Sequence, residues 1–349
     1  MHILVTGGAG YIGSHVVKQL LENRDDDITI LDNLSTGHQS TVDTLKSICK
    51  DAGGGASLNF IKAELSDFAE IERIVKEGSF DAVIHFAASI VVPESVENPL
   101  KYYMNNTVNT THLILQCNRY EVGKFIFSST AAVYGEPKEV PVSETTLTGP
   151  INPYGSSKLM SETVIRDAAA ANDDFNYVIL RYFNVAGADV KNRIGQSFPN
   201  ATHLIKVAAQ TAIGQREKMS IFGEDYDTPD GTCIRDYIHV DDLASAHLSA
   251  LDYLSSASKD SDTPNIFNVG YGHGFSVKEV IDTMKKVSRV DFSVEKAPRR
   301  AGDPALLISD NSRIKSVLKW QSRYDDLDLI CKTALDWEKK IAESEEQRQ

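Results

Sequence analysis

Short apolar runs alternate with helical periodicity through the first half of the chain. Buried strands are predicted at Ile3–Thr6, Ile28–Leu31, Asn59–Lys62, Ala82–Phe86, Phe125–Ser128 and Val178–Tyr182. Between them, amphipathic helices are predicted at His15–Glu22, Ile71–Glu77 and Thr110–Tyr120. Because strands that alternate with helices form parallel sheets with right-handed crossovers, the pattern predicts a doubly wound α/β domain of the Rossmann type.

The pattern changes after Asn184. Residues 185–236 are rich in Gly, Pro and Asp and contain a predicted helix at His203–Ile213. A predicted strand, Ile266–Val269, and a predicted helix, Val277–Val287, follow. We therefore predict a Rossmann domain over residues 1–184, whose sheet is extended by parts of about 237–290. Residues 185–349 are predicted to form mainly a smaller, C-terminal substrate-binding domain.

Composition and charge narrow the classes of function. The 349 residues carry a net charge of −13, which argues against nucleic acid or an anionic membrane as a partner. The chain has no run of about 18 apolar residues and no leader pattern before its first strand, so we expect a cytoplasmic protein. The four cysteines lie far apart in the sequence, and neither they nor the histidines show the spacing of metal ligands. No metal is expected.

A glycine pattern follows the first predicted strand. It reads Thr6-Gly-Gly-Ala-Gly-Tyr-Ile-Gly13, with glycines at positions 7, 10 and 13 that permit a tight turn and close approach of backbone to a pyrophosphate. Asp32 ends the second strand, where a carboxylate can accept a hydrogen bond from a ribose 2′-hydroxyl. A 2′-phosphate would meet like charge there. The pattern therefore predicts dinucleotide binding, with NAD favoured over NADP.

A second group of polar residues indicates proton chemistry. Tyr154 and Lys158 are four apart in a predicted helix and share one face. An ammonium near a phenol favours phenolate, so we expect a lowered pKa for Tyr154 and a role as general base. Ser128, Ser129 and Thr130 close the fifth strand at the sheet edge where ligands bind in open α/β folds.

These motifs together resemble the extended short-chain dehydrogenase/reductase family and, more narrowly, its UDP-glucose 4-epimerases. The resemblance covers nearly the whole chain. Besides the glycine turn, it rests on the segments Leu31–Leu34, His85–Ala87, Pro99–Asn106, Phe125–Gly135, Pro153–Lys158, Arg181–Asn184, Ile221–Gly223, Asp230–Thr232, Ile234–His239 and Ala297–Asp303.

The resemblance implies a role for each matching position. The implied catalytic residues are Tyr154 as base, Lys158 and Thr130. The implied NAD-binding residues are Gly7, Gly10, Tyr11, Ile12, Gly13, Asp32, Asn33, Glu64, Leu65, Phe86, Ala87, Asn105, Ser128, Tyr154, Lys158 and Phe183. The implied UDP-sugar-binding residues are Thr130, Tyr154, Asn184, His203, Leu204, Phe222, Arg235, Arg300, Asp303 and Leu307.

The implied activity is inversion of carbon 4 of a UDP-hexose through a 4-keto intermediate, in a homodimer. One alternative is a nucleotide-sugar dehydratase on the same scaffold, but those enzymes place acidic residues directly after the strand-end Thr, where this chain has Ala131 and Ala132. The other alternative is a non-catalytic NAD-binding protein, which would need neither Tyr154 nor Lys158.

Four positions depart from the family pattern. Glu64 replaces an Asp near the adenine, Ile90 replaces a Lys near the pyrophosphate, and His203 replaces an Asn beside the sugar. Leu307 stands where enzymes restricted to UDP-glucose and UDP-galactose carry a Tyr. A smaller side chain there leaves room for a 2-acetamido group, so the sequence suggests activity on UDP-N-acetylglucosamine and UDP-N-acetylgalactosamine as well. An ordinary buried Leu is the alternative interpretation.

Overall fold

A seven-stranded parallel sheet forms the centre of the protein. The computed structural model describes residues 1–198, 202–256, 264–300 and 303–346. The sheet has the order β11-β6-β5-β4-β1-β2-β3, formed by β1 His2–Thr6, β2 Asp27–Asp32, β3 Ser57–Lys62, β4 Ala82–His85, β5 Lys124–Thr130, β6 Asn176–Tyr182 and β11 Ile266–Val269. All six strand pairs are parallel. The predicted doubly wound α/β architecture is confirmed.

Helices cover both faces of this sheet and build the C-terminal part. They are α1 Tyr11–Asn23, α2 Gln39–Ala52, α3 Phe68–Gly78, α4 Val92–Glu97, α5 Pro99–Tyr102, α6 Asn109–Arg119, α7 Pro153–Ala171, α8 Leu204–Ala212, α9 Val240–Ser256, α10 Val277–Ser288, α11 Ser312–Val317 and α12 Leu327–Glu346. The helix α2 was not predicted from the sequence, because only Val42, Leu45 and Ile48 of it are buried.

The direction of winding changes between β1 and β4. From β1 the chain proceeds outward through β2 and β3, and then returns to place β4 on the other side of β1. Thr6 pairs with both Leu31 of β2 and His85 of β4. Ligands of open α/β sheets bind outside the carboxyl ends of the strands at such a switch point.

The C-terminal part contributes both to this sheet and to three small ones. As predicted, Ile266–Val269 extends the main sheet, by pairing with β6. The small sheets pair β7 with β10, β9 with β12 and β14, and β8 with β13; these strands are β7 Asn184–Ala186, β8 Lys218–Phe222, β9 Ile234–Arg235, β10 Tyr237–His239, β12 Phe275–Ser276, β13 Ser293–Ala297 and β14 Leu306–Leu307. One buried apolar cluster runs from Ile3 to Leu335. The domain boundary at residue 184 stays a prediction.

The helix predicted at Thr110–Tyr120 corresponds to α6. An irregular helical turn precedes it. Between α5 and α6 the residues Tyr103–Val108 form a π-helical turn. Single π-turns within helices insert an extra residue and occur often at functional sites. This turn carries Asn105, one of the residues implied to bind NAD.

Candidate active site

The glycine turn lies at the switch point and leaves no room for side chains. Gly7 has a φ of +72°, and a Cβ there would lie 2.7 Å from the backbone nitrogen of Ala87. A Cβ on Gly13 would lie 2.3 Å from the carbonyl oxygen of Gly7. Gly10 caps α1, whose first turn carries no acidic residue. The turn therefore offers free amides and the positive end of a helix dipole to a diphosphate, which fits NAD.

The end of β2 lies beside this turn. Asp32 accepts hydrogen bonds from the amides of Ala9 (3.0 Å) and Leu34 (2.8 Å). Burial raises the pKa of Asp32, and these amide hydrogen bonds oppose the rise. Asn33 donates to Glu64 at 2.9 Å. The carboxylate and these neighbours fit the recognition of a ribose and an adenine.

Tyr11 and Ile12 begin α1. The Tyr11 hydroxyl donates to the carbonyl oxygen of Gly187 at 2.6 Å, and the partly buried Ile12 packs on the main apolar core. Leu65 is buried behind β3. The aromatic residue of the glycine turn is therefore attached to the C-terminal part of the chain.

Residues after β4 form the opposite wall of the turn. The Phe86 ring lies 4.8 Å from that of His247, and the amide of Phe86 donates to Thr6. Asn105, on the π-helical turn, donates to Ser89 at 3.1 Å. Ile90, which replaces the family's Lys, is 47% exposed and supplies no charge.

Tyr154, Lys158 and Thr130 converge beside this wall, as expected. Tyr154 begins α7, whose N-terminus is capped by the Asn152 side chain, and its hydroxyl is hydrogen-bonded to Thr130. Lys158 lies one turn later, is 3% exposed and donates to the carbonyl oxygen of Ser128 at 2.9 Å. A phenol, a hydroxyl and an ammonium are thus held at the carboxyl end of β5.

The expectation of a lowered pKa for Tyr154 is wrong when only the groups of the protein itself act on the phenol. Burial raises its pKa to about 12, and the Thr130 hydrogen bond opposes this rise only in part. Lys158 gives no compensating effect, because its ammonium is directed to the Ser128 carbonyl. Burial also lowers the pKa of Lys158 to about 7, against the opposing charge of Glu162. A further positive charge is needed to favour the phenolate.

Basic side chains line the C-terminal part of the site. The guanidinium of Arg235 lies 3.5 Å from Asp303. The guanidinium of Arg300 stacks on Phe222, 3.7 Å from the ring centroid. Ala301 and Gly302 of the same motif lie outside the described residues. The two arginines come from different strands and loops and present the planar donors that suit a diphosphate.

Three further residues implied to bind the substrate share one cleft. Asn184, His203 and Leu204 line one cleft together with Tyr237. His203 precedes α8 without capping it and is hydrogen-bonded to Gln196 at 2.9 Å. An exposed imidazole therefore occupies the place of the family's Asn.

Leu307 lies on a different wall. It pairs with Arg235 in the β14–β9 ladder and packs on the apolar cluster that contains Phe183, Ala131 and Val133. Leu159, the neighbour of Lys158, packs on the same cluster. Leu307 is thus linked through one apolar patch to α7.

Sequence reasoning missed the residue that joins the two walls. Asn106, 2% exposed, accepts from the amide of Ser89 at 2.8 Å and donates to the Ser157 hydroxyl at 3.0 Å. Ser157 lies next to Lys158, and Ser89 follows Ala87. The only sequence signal was the polar pair Asn105-Asn106 inside an otherwise amphipathic helix.

The described part of the chain also shows what this site and the surrounding helices lack. No three His, Cys, Asp or Glu side chains there come together as a metal site. No described helix has the length and apolar character needed to cross a bilayer.

Comparison with known proteins gives three similarities. The model of the NAD dependent epimerase/dehydratase family matches residues 3–270. The UDP-glucose 4-epimerase of Azospirillum brasilense is 48% identical over 342 residues, which cover 98% of this chain and 93% of that protein. The solved structure of the UDP-Glc/GlcNAc 4-epimerase from Campylobacter jejuni matches with a TM-score of 0.83 and 60% identity, covering 97% of this chain and 99% of the other.

A further solved structure was determined with ligands. The UDP-glucose 4-epimerase from Bifidobacterium longum, in complex with NAD⁺ and UDP, matches with a TM-score of 0.90 and 37% identity. The match covers 97% of this chain and 98% of the other. The similarity therefore extends over both the glycine turn and the basic cluster.

Proposed function

The chain belongs to the NAD dependent epimerase/dehydratase family, and we propose that it inverts carbon 4 of UDP-hexoses with Tyr154 as the proton acceptor. The observation that carries this proposal is the convergence of Tyr154, Thr130 and Lys158 at the strand edge beside the glycine turn. Similarity to UDP-glucose 4-epimerases over nearly the full length supports it.

The protein groups divide the work of the reaction. Bound NAD supplies a hydride acceptor and a positive ring. Tyr154 takes the proton from the sugar 4-hydroxyl and returns it after the ring has turned over. Thr130 orients the phenol by its hydrogen bond, and Lys158 is fixed by the Ser128 carbonyl. Such positioning, together with the proton transfer itself, is the protein's share of catalysis.

The substrate is anchored by its nucleotide. Arg235 and Arg300 provide charge for the diphosphate, and Phe222, Asn184 and Leu204 border the space beside it. Because the anchor is remote from carbon 4, the 4-keto sugar can turn over without being released. This turn would present the opposite face of carbon 4 to the side of the site that would hold the nicotinamide.

Dehydration is disfavoured by the residues after β5. The family includes dehydratases, which need an acid beside the strand-end hydroxyl to expel water. Here Ala131 and Ala132 follow Thr130, and the amide of Ala132 donates back to the Thr130 hydroxyl at 3.1 Å. No carboxylate stands at that position to protonate a leaving hydroxyl.

The pocket around Leu307 favours a broader range of sugars. Leu has less bulk than Tyr and carries no hydroxyl to pair with the sugar. We therefore propose turnover of the 2-acetamido sugars in addition to UDP-glucose and UDP-galactose. The Campylobacter jejuni protein, described as a UDP-Glc/GlcNAc 4-epimerase, supports this proposal by its 60% identity.

We also propose a homodimer located in the cytoplasm. Leu100, Met104, Val108 and Leu115 are exposed apolar residues along the segment from α5 to α6. Met160 on α7 is also exposed, and α7 packs beside that segment. This shared apolar face supports association of two copies through these helices.

The decisive experiment is an incubation of purified protein with UDP-galactose or UDP-N-acetylgalactosamine, without added cofactor. Conversion of both substrates to the gluco epimers is expected. Conversion of UDP-galactose alone would support the 4-epimerase activity and reject the proposed turnover of 2-acetamido sugars. No conversion of either, even with NAD supplied, would reject the epimerase.

The role of Leu307 needs its own variant. Leu307→Tyr is expected to lower turnover of UDP-N-acetylgalactosamine and to spare UDP-galactose. Leu147→Tyr, at a fully exposed loop position, is the matched control. Unchanged turnover of the acetamido sugar by Leu307→Tyr would contradict the explanation.

A further inference from the structure

A buried ammonium connects the glycine-turn helix to two distant segments. Lys18, in the middle of α1, is 3% exposed, and its Nζ donates to Asp189 at 2.8 Å and to Asp241 at 2.5 Å. The two aspartates are 2% and 3% exposed. Asp189 follows β7, and Asp241 lies in the first turn of α9. A single charge thus joins three elements that are remote in sequence.

The aspartates have additional partners that fix their positions. Asp241 is hydrogen-bonded to Nδ1 of His15 at 2.7 Å, one turn before Lys18 on α1. Asp189 accepts from Nε of Arg193 at 2.7 Å, and Arg193 also donates to Glu22 at 2.7 Å. Removing one charge from such a cluster would leave the others buried without compensation. The cluster is therefore held together by mutually dependent charges.

The segment 187–193 is consequently attached along the length of α1. Tyr11 in the first turn bonds the Gly187 carbonyl, Lys18 in the middle bonds Asp189, and Glu22 in the last turn bonds Arg193. Arg193 and Lys18 hold the pKa of Asp189 at about 2, although burial opposes this. Asp189 is thus charged throughout the neutral range.

The attached elements are those that carry the two ligand sites. The N-terminus of α1 forms the cofactor turn. The segment 187–193 continues directly from β7, which begins with Asn184 of the substrate cleft. The helix α9 also reaches the site, because His247 contacts Phe86 and lies 3.4 Å from the Ser128 hydroxyl.

We propose that Lys18 is a positioning residue that sets the distance between the bound cofactor and the bound sugar. It contacts neither, and acts by clamping α1 to the segment after Asn184 and to α9. This inference rests on the proposed function. Because hydride must pass twice, to and from opposite faces of one carbon, the reaction depends strongly on that distance. Displacement of reacting groups by about 1 Å can cost about 100-fold in rate.

The first test compares Lys18→Met with Arg24→Met in the purified holoenzyme. Arg24→Met is the matched control, because it removes an ion pair between the end of α1 and Asp252 of α9 without touching segment 187–193. We expect Lys18→Met to lower kcat by about 10- to 100-fold. KM should change by no more than about threefold, because the nucleotide anchor is untouched. Reduced cofactor should also accumulate during turnover, and its near-ultraviolet absorbance measures this accumulation.

The expected accumulation distinguishes positioning from a general loss of stability. A misplaced keto sugar would accept hydride back from the reduced cofactor slowly, whereas partial unfolding would lower kcat without trapping reduced cofactor. Wild-type kcat in folded Lys18→Met, or an equal effect of Arg24→Met, would overturn the proposal.

A milder variant covers the case in which Lys18→Met does not fold. Asp241→Asn keeps an oxygen acceptor for Lys18 and leaves the Lys18–Asp189 pair in place. It should lower kcat less than Lys18→Met, again with accumulation of reduced cofactor. A folded Asp241→Asn variant with unchanged kcat would overturn the proposal.

Hydrogen exchange supplies a readout that is independent of epimerisation. In the holoenzyme, Lys18→Met or Asp241→Asn should speed amide exchange in residues 187–193 and in the first turn of α1, and Arg24→Met should not. If wild-type protein turns over no UDP-hexose, the proposed function fails, but faster exchange at both places still supports the clamp. Unchanged exchange at either place rejects the clamp.

Discussion

Burial acts in opposite directions on Tyr154 and Lys158. It raises the pKa of the phenol to about 12 and lowers that of the ammonium to about 7. The Thr130 hydrogen bond lowers the pKa of Tyr154, and the charge of Glu162 raises that of Lys158. Each residue of the pair therefore depends on a neighbour outside the pair.

The first prediction concerns Thr130→Val. Removal of the hydroxyl raises the pKa of Tyr154, because the hydrogen bond that lowers it is lost. Activity rises with pH as the base deprotonates, so this limb of the kcat profile should move to higher pH. At neutral pH kcat should fall by about 10- to 100-fold. The measurement is the pH dependence of kcat for both proteins.

The control for this prediction is Thr146→Val. Thr146 accepts from the Ser143 amide at 3.2 Å in a loop outside the catalytic group. Its profile should match that of the wild type. An unshifted limb in Thr130→Val would argue against Tyr154 as the base.

The second prediction concerns Lys158→Met. The pKa of Lys158 in the folded protein is about 7, below its ordinary 10.5. Between these values the unfolded chain binds more protons, so Lys158 makes wild-type stability rise with pH across that window. Lys158→Met should remove this rise. The wild type should therefore gain stability relative to the variant by at least about 1 kcal/mol as pH increases through the window.

Denaturant unfolding at a series of pH values checks this prediction. Lys50→Met, at an exposed position on α2, is the control and should keep the wild-type slope. Equal slopes for the wild type and Lys158→Met would show that burial does not perturb this ammonium.

At the scale of elements, the turn between β1 and α1 is specified by sterics alone. A Cβ at position 13 would lie too close to the carbonyl oxygen of Gly7. The helix α1 can therefore begin at Tyr11 only if residue 13 is glycine. The consequence is close packing of α1 on the sheet, with its first amides free.

The third prediction follows from that contact. Gly13→Ala must displace α1 or the Gly7 peptide, so it should lose bound NAD and destabilise the fold by about 2–4 kcal/mol. Gly149→Ala is the control, since a Cβ there meets nothing within 4 Å. Cofactor content after purification and the unfolding midpoint are the measurements. Retention of NAD by Gly13→Ala would contradict the assigned role of the turn.

The π-helical turn between α5 and α6 connects these helices to α7. The Asn106 carbonyl within it accepts from the hydroxyls of Thr110 (2.5 Å) and Ser161 (3.0 Å). Ser161 belongs to α7, so the irregular turn fixes the catalytic helix to its neighbour. A regular helix would have left that carbonyl to its own backbone ladder.

At the scale of the whole molecule, the exposed apolar face along α5, the π-helical turn and α6 supports the proposed association of two copies. Leu100 is 72% exposed, Met104 58% and Leu115 59%. An apolar stripe of this extent on a helix pair is typical of a subunit interface.

The fourth prediction tests the proposed homodimer. Leu100→Glu combined with Met104→Glu should convert it to a monomer, because four buried carboxylates per dimer would have no partners. Val290→Glu, at an exposed position after α10, should leave the mass unchanged. Light scattering with size-exclusion chromatography measures both. A monomeric wild-type protein would refute the proposal.

Local patterns in the sequence determined the parallel sheet, the glycine turn and the positions of Tyr154, Lys158 and Thr130. The strands are set by nearly continuous apolar runs, because both faces of the central strands are buried. The turn is set by where a Cβ cannot fit. The Tyr–Lys spacing is set by the pitch of one helix. Each depends on residues close in sequence, so the chain alone shows it.

Only the tertiary structure decided which buried charged groups pair with one another. The sequence gives no indication that Lys18 lies between Asp189 and Asp241, 171 and 223 positions away. It predicted the wrong direction for the pKa of Tyr154, because burial and the orientation of Lys158 depend on packing. The electrostatic environment of a site is a sum over distant segments, and only the folded chain brings those segments together.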